Sequence, residues 1–151
     1  MNFTPIRINI FNFFKLPSVW WCGIRVTKID DVSCQVKVVH RWINQNPFNS
    51  MFWAVQGMAA ELTTGVLIME AIQNSKRKVS MLVLNNRANF SKKARGKVLF
   101  ECDEKQKLSK AMNQLIKTQK PQSIWLTSKG IDQNGDIVST FEFEWTLLLK
   151  N

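Results

Sequence analysis

The sequence predicts an α+β domain in which a curved antiparallel sheet wraps around one long apolar helix. Three observations carry this. A stretch of helical length runs from Met51 to about Gln73, and between Met51 and Met69 its only ionisable side chain is Glu61. Segments with two-residue alternation of apolar and polar side chains lie on both sides of it, the clearest being 137–150. A helix with so little charge must be covered on most sides, and a curved sheet covers it economically.

The 151 residues suit a single domain spanning 1–151, a size at which folding removes roughly 70% of the extended chain's surface from water. With 45% hydrophobic residues, ten Phe and six Trp, the chain can bury a proper core, which excludes disorder despite a net charge of 21 − 11 = +10. Cys22, Cys34 and Cys102 lie far apart without a C-x-x-C pair, a pattern that excludes a disulfide scaffold and fits a reducing, cytoplasmic setting. His40 is the only histidine, so a His-rich metal site is excluded and no metal is expected; any Ser-His or Cys-His nucleophile pair would have to use it.

Residues 1–20 open with Phe3, Ile6, Ile8, Ile10, Phe11, Phe13 and Phe14, bracketed by Arg7 and Lys15 and followed by Pro17 and two tryptophans. No small-residue cleavage site follows and no segment is long enough to span a membrane, so this reads as an aromatic helix or arm packed on the body. An interfacial membrane anchor is the alternative. From Ile24 the pattern changes to period two. After a turn at Asp30-Asp31, Cys34, Val36, Val38 and His40 share one side of a strand, with His40 read as an inward histidine near the strand end.

Residues 44–50 (NQNPFNS) form a turn-rich loop from which Asn49 or Ser50 can cap the long helix. Basic Lys76-Arg77-Lys78 precedes an apolar strand over 79–84, and 98–102 alternates again. Asp103 is expected to begin a second helix, with Gln106 as its capping-box partner. Its apolar stripe of Leu108, Ala111, Met112, Leu115 and Ile116 against Lys105, Lys107, Lys110 and Lys117 marks a surface helix. A strand over 124–129, an Asn-Gly hairpin within 132–136 and the last alternating strand complete the chain.

On a helical wheel, Ala54, Gly57, Met58, Gly65, Ile68 and Ile72 cluster around Glu61, with Thr64 at the edge, while Gln56, Thr63, Glu70 and Asn74 lie opposite. Glu61 thus interrupts an apolar face instead of continuing a wet one. A buried carboxylate costs several kcal/mol unless it is paired or takes up a proton, and carboxylates with raised pKa in clefts are natural general bases. The competing reading is an ion pair with a neighbouring Lys or Arg. Gly57 and Gly65 beside Glu61 suit close approach by another backbone or a ligand.

The chain here resembles the hotdog-fold thioesterases of the phenylacetyl-CoA thioesterase-like type. The resemblance rests on NPFNSMFWAVQGMAAELTTG (46–65) and SMLVLNNRANFSKKARG (80–96), within a match over roughly 26–149. It implies the hotdog fold, in which an antiparallel sheet wraps a central helix. It also implies thioester hydrolysis of an acyl-CoA, with coenzyme A as part of the substrate and no separate cofactor. By the same resemblance Glu61 is the base, Asn46 and the Trp53 N–H hold the thioester oxygen, and Ser80 or Thr64 orients water. The acyl chain would lie beside Phe52, Gly57, Met58, Gly65 and Ile68. A homodimer is implied because the Asn-bearing end of one chain faces the acid of another, and two such dimers can pair further into a tetramer. One departure stands out: the family's His-Gly position reads Phe52-Trp53, which makes a non-catalytic acyl-CoA or fatty-acyl binding protein the alternative.

Between Glu70 and Glu101 there is no acid, yet Lys76, Arg77, Lys78, Arg87, Lys92, Lys93, Arg95 and Lys97 all occur. The resemblance suggests coenzyme A phosphates as partner, contacted by Lys92, Lys93 and Arg95. The other readings are a solvated basic face and a nucleic-acid-binding module. The sequence has no helix-turn-helix, RNP-like or zinc-finger pattern, so no nucleic-acid partner is expected.

Overall fold

The computed structural model describes residues 3–150; Met1, Asn2 and Asn151, which belong to the expected arm and domain, lie outside the described residues. The chain runs α1 (Pro5–Lys15), α2 (Pro17–Trp21), β1 (Arg25–Ile29), β2 (Cys34–Val39), α3 (Trp53–Ser75), β3 (Val79–Phe90), β4 (Lys97–Cys102), α4 (Lys105–Thr118), β5 (Gln122–Ile131) and β6 (Ile137–Leu149). The six strands form one antiparallel sheet in the order β1-β2-β4-β5-β6-β3. α3 packs in its concave face against β2, β4, β5 and β6. This is the hotdog arrangement, an α+β fold.

Alternation explains the sheet. In β6, Phe141, Phe143, Trp145 and Leu147 are buried, while Glu142, Glu144 and Thr146 face outward. The β5–β6 turn forms where Asp132 accepts the N–H groups of Asn134 and Asp136 and Gly135 adopts a φ of 82°, a conformation in which glycine has no Cβ penalty.

Several local expectations are corrected. β3 does not stop at Leu84 but continues to Phe90 through a bulge between Val83 and Asn85, because the neighbouring β6 gives Asn85 and Asn86 a ladder partner that overrides their turn preference. Neither Asn49 nor Ser50 caps α3. Asn49 takes a left-handed turn with φ 56°, Ser50 bonds back to Asn46, and Phe52 stands at the cap without a side-chain bond. The Asp103–Gln106 capping box is also absent. Glu104 occupies the cap of α4 and spends its carboxylate on the Thr127 N–H (2.6 Å), tying the helix to β5.

The stripe expected to lie wet opposite Glu61 is mostly covered. Gln56 and Thr63 are buried, Thr63 donating to the Ala60 carbonyl (2.7 Å) within hydrogen-bond reach of Ser128 Oγ (2.9 Å). Glu70 pairs with Lys105 of α4 at 2.7 Å, and only Asn74 is exposed. Short polar groups can be buried when tertiary partners satisfy them, and a wheel does not contain those partners.

The two ends of the sheet differ. At β1, Asn9 of α1 acts as a substitute strand: its Nδ2 donates to the Val26 carbonyl and its Oδ1 accepts the Val26 N–H, both at 2.9 Å. At the other end β3 presents a free edge of 12 residues. Asn9→Ala is expected to lower stability by about 1–3 kcal/mol, since it strands a part-buried backbone N–H and carbonyl. A urea titration followed by tryptophan fluorescence measures this as a lower midpoint at unchanged slope.

Candidate active site

The site begins with a loop that uses its own polar side chains as struts. Buried Asn44 donates to the carbonyls of Cys22 (3.0 Å) and Val39 (2.9 Å) and accepts the Arg41 N–H. Asn46 accepts the N–H groups of Phe48 and Ser50, and its Nδ2 donates to Ser50 Oγ at 2.9 Å. The second Nδ2 proton has no protein acceptor among the described residues. Met51 N–H donates to the Ala94 carbonyl (2.8 Å), which holds this loop against the segment after β3.

Between the two segments lies a pocket of about 510 Å³, lined by Asn46, Phe52, Trp53, Gln56, Phe90, Lys92 and Lys93 among others. The start of α3 forms its floor. Val55 and Gln56 donate to the Phe52 carbonyl, but the N–H groups of Trp53 and Ala54 have no acceptor among the described residues. Free N–H groups and the positive end of the helix dipole make this a place for partial negative charge. Gln56, missed in the sequence, contributes a buried Oε1 without a partner. Its signal was a glutamine one turn inside an otherwise apolar helix start.

Lys92, Lys93 and Arg95 stand apart in their bonding. Lys92 is held by Asp132 and Asp136, both at 2.7 Å, and its pKa is raised by those hydrogen bonds. Arg95 donates from Nε to the Asn49 carbonyl (3.2 Å), and Lys93 is exposed on the pocket lining without an ion pair among the described residues.

Glu61 sits elsewhere on α3, two turns further along. Eight residues of helix separate it from Trp53, about 12 Å at 1.5 Å per residue. It is half-buried, and its carboxylate has neither an ion pair nor a hydrogen bond among the described residues. Burial raises its pKa. A Cβ at Gly65 would lie 3.4 Å from Glu61 Oε1 and 3.8 Å from the Trp145 ring, and one at Gly57 would lie 3.4 Å from the Phe141 ring. The two glycines therefore let this face of α3 lie close on β6, with Glu61 between them.

The remaining predicted residues surround Glu61 unevenly. Thr64 is buried; its hydroxyl donates to the Glu61 carbonyl (2.8 Å) and accepts from Trp145 Nε1 (3.0 Å), so its one proton is already used. Gly65 and Ile68 are buried, Met58 and Gly57 half-buried, and none of the four lines the pocket, whereas Phe52 does. Ser80 pairs in register with Leu148, while its neighbours Val79 and Met81 pack on the core. It therefore faces the outer side of the sheet, away from α3, which corrects the expectation that it orients water for Glu61. Asn86 was missed. It pairs with Phe143 on the inner face of the free edge, at the level between Phe141 and Trp145 where Glu61 lies. The bulge hides this from the sequence, because it inverts the alternation after Val83. His40 lies outside both places; its backbone N–H donates to the Gly96 carbonyl and its Nε2 is buried without a partner among the described residues.

The sequence matches the family described as Domain of unknown function (DUF4442) over residues 7–147, nearly its whole length. The chain belongs to the DUF4442 family. Solved structures share the fold of this DUF4442 domain at low identity. A Pseudomonas aeruginosa protein of unknown function, described as a "Probable Thioesterase", is 17% identical with a TM-score of 0.82, with 97% of each chain covered. A Chlorobaculum tepidum protein of unknown function is 14% identical with a TM-score of 0.80 and 98% of each chain covered. A Haemophilus influenzae thioesterase is 12% identical with a TM-score of 0.73, over 99% of this chain and 93% of that one. No curated protein matches this DUF4442 domain in sequence.

Proposed function

We propose that this DUF4442 protein is a thioesterase that hydrolyses an acyl-CoA or a related thioester, working as a homodimer. The observation that carries this reading is Glu61: half-buried, unpaired, raised in pKa and flanked by two glycines on an apolar face. Such a carboxylate accepts a proton readily once ionised and has no partner among the described residues to stabilise it. The thioesterases among the similar structures support the same chemistry.

In the reaction, the Glu61 carboxylate takes a proton from water as its oxygen attacks the thioester carbonyl. The oxyanion is met by the free N–H of Trp53 and by Asn46 Nδ2, the geometry in which fixed donors contribute most. Collapse breaks the C–S bond; the thiolate receives the proton from Glu61, leaving a carboxylic acid and coenzyme A. Lys93 and Arg95 supply positive charge for the coenzyme's phosphates, while Lys92 is spent on the β5–β6 turn.

Two copies are required because reacting atoms must approach to about 3–3.5 Å, whereas Trp53 and Glu61 of one chain are about 12 Å apart along α3. The bare β3 edge provides the means. It carries a single charge, Arg87, already bonded to Glu142, and exposes Leu82 and Leu84. Two such edges paired about a twofold axis bring the pocket of one protomer to Glu61 of its partner.

Phe52, at the position where the thioesterases this chain resembles carry a histidine, favours one other reading: binding of an acyl-CoA without turnover. An acyl-CoA panel assayed for free thiol separates the two. Glu61-dependent thiol release supports hydrolysis; tight binding with equal background rates for wild type and Glu61→Gln assigns a carrier role instead.

A further inference from the structure

Helix α1 is apolar on its outer side as well as its inner one. Ile8 is buried in the core beside buried Asn12, and Asn9 clamps β1, while Ile6 and Phe14 stand 73% and 71% exposed, with Ile10, Phe11 and Phe13 also open to solvent. An ordinary surface helix keeps its apolar stripe toward the core and shows polar residues to water. The outward face continues into α2. Phe13 packs edge-on against Trp20 at 5.1 Å, and Trp21 is 67% exposed. Asn44, bonded to the Cys22 carbonyl, then ties in the next loop, where Trp42 is 83% exposed and Ile43 is open beside it.

The charge around this patch has one sign. Residues 1–29 contain no acid, and residues 1–60 contain only Asp30 and Asp31. Arg7, Lys15 and Arg41 are exposed without ion pairs among the described residues. Arg25 lies over the Trp20 ring at 3.5 Å and donates to the carbonyls of Trp20 and Ile24, again without a carboxylate. Burial, and then the positive charge of Arg41, lower the Arg25 pKa.

We infer that this face docks on the interface of an anionic lipid bilayer, with α1 lying in the membrane plane and Trp21 and Trp42 at headgroup depth. Exposed Phe and Ile on a helix flanked by Lys and Arg is the pattern that partitions into the headgroup boundary, and indoles sit at that depth. The basic ring complements anionic headgroups. A second copy of the chain fits poorly, because an isologous contact would set this basic patch of Arg7, Lys15, Arg25 and Arg41 against the same patch without an acid to match it. No helix of the described residues is long and apolar enough to cross a membrane, so the attachment is to the surface.

The test is co-sedimentation of the full chain with phosphatidylcholine vesicles, with and without phosphatidylglycerol, at low and high salt. Binding is expected only with phosphatidylglycerol, weakened by salt and accompanied by a blue shift of tryptophan emission. Phe14→Ser and Trp21→Ser are each expected to lower the vesicle partition coefficient by about tenfold or more. Their melting temperatures, which track the buried core, should stay at the wild-type value. The inference is overturned if the protein stays in the supernatant with both vesicles, or if the variants bind as the wild type does. It is equally overturned if sedimentation velocity shows either substitution splitting an oligomer, since a second copy then covers the face.

Discussion

Replacing Glu61 by glutamine is expected to slow thioester hydrolysis by about 10²–10⁴-fold, the usual contribution of a positioned general base. It should also make the protein more stable at pH values above the raised pKa of Glu61. Both effects follow from burial. In the unfolded chain the carboxyl titrates near the ordinary glutamate value of about 4.3, while in the fold its pKa is raised by desolvation. Between those two values the folded state holds a proton that the unfolded state has lost, so stability falls as pH rises through the interval. Above the raised pKa the ionised form carries that penalty in full, and glutamine removes it. The wild-type rate should rise with pH along a limb displaced above the ordinary carboxylate range, and the limb should vanish in Glu61→Gln. Rate–pH profiles and thermal melts of the two proteins check this. A residue held merely for structure would lose stability on substitution, opposite to the expected direction.

The second large effect is recovery by mixing. Trp53→Pro removes one donor of the proposed oxyanion site with little cost to the helix, since proline suits the first helical position and Phe52 already has the extended backbone (φ −61°, ψ 134°) that must precede it. Loss of such a donor lowers the rate by about 10²–10³-fold. Homodimers of Trp53→Pro and of Glu61→Gln should therefore both be nearly inactive. After subunit exchange in equal amounts, half of the dimers carry one intact site assembled from the two undamaged halves, so roughly a quarter of wild-type activity should return. Activity that stays at the level of the parents after verified exchange would place both residues in a single-chain site and remove the dimeric mechanism.

Much of the architecture was legible because it depends on period alone. The near absence of charge over 51–69 specifies α3, strict alternation specifies β6, and Asn134-Gly135 specifies the turn before it. What period could not convey was satisfaction at a distance. Thr63 looks like a solvent-facing residue until Ser128, 65 positions away, lies 2.9 Å from it across the core. Lys92 looks available for a phosphate until Asp132 and Asp136 close on it. In the site region, Glu61 was visible as an anion among small apolar neighbours. The side of the sheet that Asn86 occupies was not, because it rests on the bulge in the β3–β6 register after Val83.

The Asn9 clamp on β1 bears on how large an assembly this chain can make. A twisted sheet with two bare ends can recruit further copies at each, and nothing then prevents growth into a filament. Here one amide side chain occupies the Val26 backbone at one end, while the β3 margin stays open. In the proposed homodimer two such margins would meet, and strand-to-strand growth would end at that pair.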